Sequence, residues 1–373
     1  MLGVVGIIIS LGLLMYLAYR GISVLILAPV LAMLAALFSG DIPLLASYTE
    51  VFMPALAGYA KAFFPLFLLG AVFGKVMAEA GAAKSIAFFI THKLGAQRAV
   101  LAVVLSCAIL TYGGVSLFVV AFAVFPIAVE LFREAGIPKR FIPATIALGS
   151  FTFTMTALPG TPRIQNAIPM PYFGTTAFAA PILGLVGAAI MFGGGLFWIN
   201  RRAKAAMDKG EDYGDDEENT VASAEEVPIP SVAAAFAPIV VVVLINFILS
   251  KYVFPAMDTS YLEDYDTTLS RVNGIWSIIV SLAISIVFAL LLFRKTLAKV
   301  LKTVNDGAFG SLLPLLNTAS EVGYGNVIKS LGAFALVKAA ILGIPGNPLI
   351  SLAASTSILA GITGSASGGM SIA

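Results

Sequence analysis

The chain has 373 residues, 59% of them hydrophobic and 11% charged, with a mean hydropathy of +0.99. A soluble domain carries about 25% charged residues, so the composition is that of a polytopic membrane protein, and a net charge of +2 offers no basic surface for nucleic acid. A single cysteine, Cys107, and a single histidine, His92, exclude an intramolecular disulfide framework, a cysteine metal cluster and zinc chemistry built on paired histidines; no cofactor is expected.

A membrane span needs about 20 apolar residues. Residues 2–19 and 22–39 qualify, separated by a tight turn at Arg20-Gly21. The N-terminus has neither a basic leader nor a small-residue cleavage site, so 2–19 reads as a retained helix rather than a signal peptide. Residues 43–58 are mixed and are expected at the interface. Residues 60–80 form a third span, interrupted by Pro65 and Gly74. Residues 82–93 are short and amphipathic, with Lys84 and Lys93 near the ends, and suit a helix lying along the membrane surface. Two apolar arms, 98–110 and 117–132, then flank the polar run Thr111-Tyr112-Gly113-Gly114-Val115-Ser116. Each arm is short for a span, which predicts a re-entrant hairpin with its tip at mid-membrane.

Residues 139–157 predict one helix. It is followed by Pro159-Gly160-Thr161-Pro162-Arg163-Ile164-Gln165-Asn166, where two prolines and a glycine cannot stay helical. The stretch to about Thr176 is expected to form the second half of a broken helix, and 178–200 a clean span ending at Arg201-Arg202. Residues 203–231 are acidic and read as a flexible linker. Spans follow at 233–254 and 274–293, a basic amphipathic piece at 295–308, and a polar span at 311–329 carrying Asn317, Ser320 and Glu321. Another amphipathic piece covers 331–343, and 348–362 leads to a second glycine break, Ser367-Gly368-Gly369-Met370-Ser371.

Both breaks share the pattern Gly-Gly-apolar-Ser. Non-helical backbone at membrane depth survives only where protein or a water-filled cavity satisfies it, and paired breaks in corresponding halves point to a transporter's binding site. The order of elements repeats: 2–19 aligns with 233–254, 22–39 with 274–293, Pro65 with Pro314, and the two breaks with each other. Basic loop residues group on one side of the predicted topology, and the positive-inside rule makes that side cytoplasmic. The N-terminus is then outside and the halves are inverted. The expected organisation is a first transmembrane repeat over 1–202, an acidic cytoplasmic linker over 203–231, and a second, inverted repeat over 232–373. The second half stops soon after Ser371 and so reads as truncated, and the two breaks are expected to face each other near mid-membrane.

Four stretches together resemble the gluconate permease family of bacterial symporters: Thr111-Tyr-Gly-Gly-Val-Ser-Leu-Phe-Val, Thr156-Ala-Leu-Pro-Gly-Thr-Pro, Asn317-Thr-Ala-Ser-Glu-Val-Gly-Tyr-Gly and Ile362-Thr-Gly-Ser-Ala-Ser-Gly-Gly-Met-Ser. The resemblance spans essentially the whole chain. It implies proton-coupled uptake of a small organic anion, gluconate or another hydroxy or short-chain carboxylate, through the inner membrane. It also implies the ion-transporter fold of scaffold and transport domains working by an elevator-like cycle, the proton rather than sodium as coupling ion, and a homodimer in the lipid bilayer. Gluconate-carrying members have a histidine in a proline-rich run where this chain has Ala157-Leu158-Pro159-Gly160, which moves the expectation from gluconate itself to the class of small carboxylates.

The residues at the breaks suit an anion. Amides at the N-terminal ends of broken helices attract negative charge. Hydroxyls of Thr111, Ser116, Thr156, Thr161, Thr363, Ser365, Ser367 and Ser371, the amide of Asn166, and the open backbone at Gly113, Gly114, Gly160, Gly368 and Gly369 can meet a carboxylate and its hydroxyls. Arg163 is the arginine expected near membrane depth and the expected partner of the carboxylate; bonding to backbone carbonyls is the structural alternative. Glu321, with Asn317 one turn before it on the same face, is expected to carry the coupled proton, since an ionised carboxylate in hydrocarbon is costly. An anion channel lacks a distinguishable filter here, and a membrane-embedded enzyme lacks a catalytic constellation, which leaves a secondary transporter in front of both.

Overall fold

A computed structural model describes residues 2–115, 117–214, 229–297, 299–335, 347–363, 366, 367 and 370. Among these the chain is helical, with no strand. Five described helices are long and apolar enough to cross a membrane: α1 (Leu2–Tyr19), α3 (Leu44–Glu79), α11 (Pro181–Met207), α12 (Val232–Ala256) and α13 (Leu269–Leu292). Between and after them lie α2 (Val24–Ser39), α4 (Ala82–Leu94), α5 (Ala99–Tyr112), α6 (Leu117–Glu134), α7 (Ile142–Phe151), α8 (Phe153–Thr156), α9 (Ile164–Ala167), α10 (Met170–Phe173), α14 (Val300–Ser330) and α15 (Pro348–Thr363). The chain is a polytopic α-helical membrane protein.

The helices group into two compact units, one of Met1–Phe67 with Ser311–Ala373 and one of Leu68–Gly310. In the first, α1 and α2 form an antiparallel-type pair joined by a short turn. Gly21 (φ +88°) ends α1 with the paired bonds of a Schellman cap, Ile22 N–H to the Leu17 carbonyl at 3.2 Å and Gly21 N–H to the Ala18 carbonyl at 2.9 Å. Ile7, Leu11 and Leu14 on one face of α1 pack with Leu27, Ala28, Leu31, Ala32 and Ala35 of α2, and with Tyr324, Val327 and Ile328 of α14. The spacing of three and four residues puts each set on one stripe. The hydroxyls of Ser10 and Tyr324, 2.8 Å apart, satisfy each other in this apolar core.

Three sequence expectations need correction here. Residues 43–58 and 60–80 are one continuous helix, α3, which absorbs a π-helical turn at Ser47–Phe52 and Pro65. Its charged Glu50 and Lys61 lie on exposed faces, so the residues that lower the average hydropathy share a helix with apolar ones without interrupting it. Likewise 295–308 and 311–329 are not separate: α14 runs unbroken from Val300 to Ser330 through Pro314. The predicted helix 139–157 is instead divided at Thr152 (φ −106°, ψ −114°) between α7 and α8. There the Thr152 hydroxyl donates to the Leu148 carbonyl at 2.7 Å and the Thr154 hydroxyl to the Gly149 carbonyl at 2.8 Å. These hydroxyls compete with the backbone ladder.

In the second unit α4 buries Ala83, Ile86, Ala87 and Ile90 against α5, α6 and α12, and leaves Phe88 and Phe89 exposed on its other face. It meets α5 at a bend of 102°. Helices α5 and α6 pack against each other on either side of the first glycine break.

Candidate functional site: the α5–α6 break

Helix α5 ends in a second Schellman cap. Val115 N–H reaches the Leu110 carbonyl at 3.1 Å and Gly114 N–H the Thr111 carbonyl at 3.0 Å. The motif demands a left-handed residue between them, and Gly114 supplies it at φ +93°. Leu110 and Val115, whose side chains complete the motif, are both fully buried. Gly113 serves a different purpose. A Cβ there would lie 2.6 Å from side-chain carbons of Ile239 on α12, so the missing side chain lets α12 approach the break.

The stretch from 157 to 163 lies alongside. Gly160 (φ +86°) donates its N–H to the Ala177 carbonyl at 2.7 Å, and the Tyr112 hydroxyl donates to the Pro159 carbonyl at 2.7 Å. The Asn166 amide reaches the carbonyls of Thr161 and Ala177, each at 3.2 Å. Asn166 thus braces this loop against the chain that leads into α11.

Arg163 closes the arrangement. Its backbone is extended, directly before the single turn of α9. Nε and Nη2 donate to the Thr111 carbonyl at 2.9 and 2.7 Å, and Nη2 also donates to the Val115 carbonyl. A cation complements the carbonyl end of a helix, so the guanidinium is held by the C-terminal end of α5. On the other side of the break α6 begins at Leu117, where the first amides of a helix have no intrahelical partner and favour an anion. The break therefore has one end whose carbonyls are matched by a cation and one end that presents amides.

Several side-chain oxygens here are buried without a hydrogen-bond partner: the hydroxyls of Thr111 and Thr161 and Oε1 of Gln165. Buried polar groups are ordinarily satisfied, so these three are available to a ligand or water. The structure gathers Thr111, Gly113, Gly114, Gly160, Thr161, Arg163 and Asn166 within the second unit. Thr156 is apart from them: it is exposed and its hydroxyl bonds the Thr152 carbonyl at 3.3 Å. Tyr112 and Gln165 were not singled out from the sequence. The free glutamine oxygen carries no sequence signal, while Tyr112 stood inside the polar run and was passed over for the hydroxyls beside it. Ser116, Ser365, Gly368, Gly369 and Ser371, and the side chain of Thr363, lie outside the described residues.

The first unit holds a second polar group of residues. Glu321 on α14 is buried, as are Ser320, Ser367 and Tyr59 of α3. The Tyr59 hydroxyl lies in the neighbourhood of Ser367 and Glu321. Tyr59 Oη, Ser320 Oγ and Asn317 Oδ1 are buried without a hydrogen-bond partner. Tyr59 was not anticipated, because its place near Glu321 joins positions far apart in the chain.

The profile of the GntP family permease matches residues 1–371. A transporter of Bacillus subtilis (strain 168), the uncharacterized transporter YxjC, is 44% identical over 388 residues, covering 98% of this chain and 81% of that protein. An uncharacterized transporter of Haemophilus influenzae (strain ATCC 51907 / DSM 11121 / KW20 / Rd) is 33% identical over 180 residues, covering 48% of this chain and 40% of that protein. No solved structure matches. With its apolar helices, its broken α5–α6 element and a family match over nearly its full length, the chain belongs to the GntP permease family and is a multi-pass membrane transporter, not an enzyme.

Proposed function

We propose that this permease carries a small organic anion, gluconate or another hydroxy or short-chain carboxylate, across the bacterial cytoplasmic membrane together with a proton. The observation that carries the reading is the polarity of the α5–α6 break. Arg163 occupies the carbonyl end, α6 begins on the other side of the gap, and the hydroxyls of Thr111 and Thr161 are buried there without partners. A carboxylate is the chemical group that uses amides, hydroxyls and a guanidinium at once.

In this reading Thr111, Ser116, Thr161 and the open backbone at Gly113, Gly114 and Gly160 contact substrate, and Arg163 supplies the positive charge. Glu321 takes and releases the coupled proton among Asn317, Ser320 and Tyr59. The second glycine break contributes Thr363, Ser365, Ser367, Gly368, Gly369 and Ser371. The halves are inverted repeats with the N-terminus outside, the cycle is alternating access of the elevator type, and the protein works as a homodimer.

Counterflow in proteoliposomes tests the class. Vesicles loaded with unlabelled carboxylate accumulate labelled carboxylate transiently if the protein is a carrier. Simple equilibration without overshoot rejects a carrier in favour of a channel. Repeating uptake with an imposed pH gradient tests proton coupling separately.

A further inference from the structure

Beside the polar break lies a cavity of about 560 Å³ whose chemistry is opposite. It is lined along one face of α5 by Leu105, Ala108, Ile109 and Tyr112, at the three- and four-residue spacing of a single stripe. Helices α8, α11 and α12 and the loop at Leu158 and Pro159 form the remaining walls. Of its ten lining residues only Tyr112 carries a polar side-chain group, and that hydroxyl already donates to the Pro159 carbonyl. The stripe ends where the break begins: Tyr112 adjoins Thr111 and Gly113, and Pro159 adjoins Gly160 and Thr161. The cavity and the break share Ile239, which lines the cavity wall and lies against the missing side chain of Gly113.

We infer that this cavity takes the body of the substrate, and that the substrate is a monocarboxylate with an apolar chain rather than a polyhydroxylated acid. The inference rests on the proposed carboxylate site at the break. The carboxylate sits at the amides and hydroxyls, and the chain extends along the α5 stripe. A polyol body placed there would bury several hydroxyls against carbon, where an unpaired polar group is disfavoured. An alkyl chain meets only carbon and gains from leaving water.

The test needs no variant at first. Binding of the straight-chain monocarboxylates from acetate to hexanoate, and of gluconate, is measured by calorimetry on the purified full chain in detergent, with counterflow of the same compounds in proteoliposomes. Affinity is expected to rise about fourfold per added methylene, the equivalent of ~0.8 kcal/mol, with gluconate among the weakest. Ala108→Leu, which fills the cavity from α5, is expected to cap this rise at a shorter chain; Leu185→Ala, in the α11 wall, should extend it. A flat series, or gluconate as the tightest ligand, overturns the inference while carboxylate transport stands. A series that rises identically in the parent and both variants places the chain outside this cavity and also overturns it. Failure of every carboxylate to bind or exchange removes both the inference and the transport reading beneath it.

Discussion

Arg163 and Glu321 are both ionisable side chains enclosed within an apolar protein, yet their surroundings differ in kind. Arg163 stands at a chain break, where the end of α5 presents carbonyls that no helix continues to satisfy, and its guanidinium binds two of them. Glu321 stands in the interior of α14, away from either end of the helix. A helix end supplies partial charge that compensates an ion locally; in a helix middle the carbonyls and amides are paired with each other, so a carboxylate there depends on groups from elsewhere or on a proton. The first arrangement fixes a charge in place. The second favours a group whose charge can change, which is the property coupling needs.

The sharpest way to break this contrast is Arg163→Ala. It leaves the Thr111 and Val115 carbonyls without their cation, and charged hydrogen bonds of this kind contribute about 1.5–3 kcal/mol each. Both gradient-driven uptake and substrate exchange should vanish, with a lowered unfolding temperature in detergent. Arg163→Lys keeps charge without the planar fork and should recover only part of each. Unchanged exchange in the alanine variant would remove Arg163 from the site.

Glu321→Gln addresses the other member of the pair. It preserves shape and hydrogen bonding but cannot lose a proton. Uphill uptake driven by a pH gradient should be lost while exchange of substrate for substrate continues. Survival of gradient-driven accumulation would show that the proton travels elsewhere, and the contrast between a fixed and a changeable charge would fail.

A smaller effect is expected from Gly113→Ala. Its Cβ overlaps Ile239, and overpacking of this kind costs about 1–3 kcal/mol. Because the neighbour is a side chain, Ile239→Ala should relieve most of the cost. A double-mutant cycle on thermal stability reads the coupling, and additivity of the two changes would mean the close approach has no energetic consequence.

The smallest effect is expected at Asp41, an exposed carboxylate that serves as a reference for the buried one. Its carboxyl is held below the ordinary range by a hydrogen bond with Ser39 and by the Gly332 N–H at 2.7 Å. A depressed carboxyl stabilises the fold above its unfolded pKa, and that contribution is lost as pH falls through the folded value. Exposed to solvent, it is worth less than about 1 kcal/mol. Asp41→Asn should therefore flatten the acid limb of the stability profile slightly and leave the pH dependence of coupled uptake untouched. A shift in the uptake profile would move the pH sensor from Glu321 to the surface.

The sequence by itself determined the class of this protein, because continuous apolar runs of about 20 residues, without the alternation of a barrel strand, satisfy their backbone in a bilayer as helices. It also determined the first break: Gly114 supplies a left-handed cap that few other residues allow, and the two prolines around Gly160 forbid a helix beside it. Element boundaries were less legible. Hydropathy divided α3 near Tyr59 and α14 near Gly310, yet both helices run through, and it joined α7 to α8 across a division made by hydroxyl bonds at Thr152. Tertiary structure alone decided what the polar residues do. Arg163 meets a carbonyl 52 residues away, Tyr59 comes to lie near a carboxylate on another helix, and a stripe of ordinary apolar residues on α5 opens into a cavity. Local sequence fixes where a helix must stop, because that is a matter of backbone sterics; it cannot fix which distant group satisfies the end, because that depends on how helices pack.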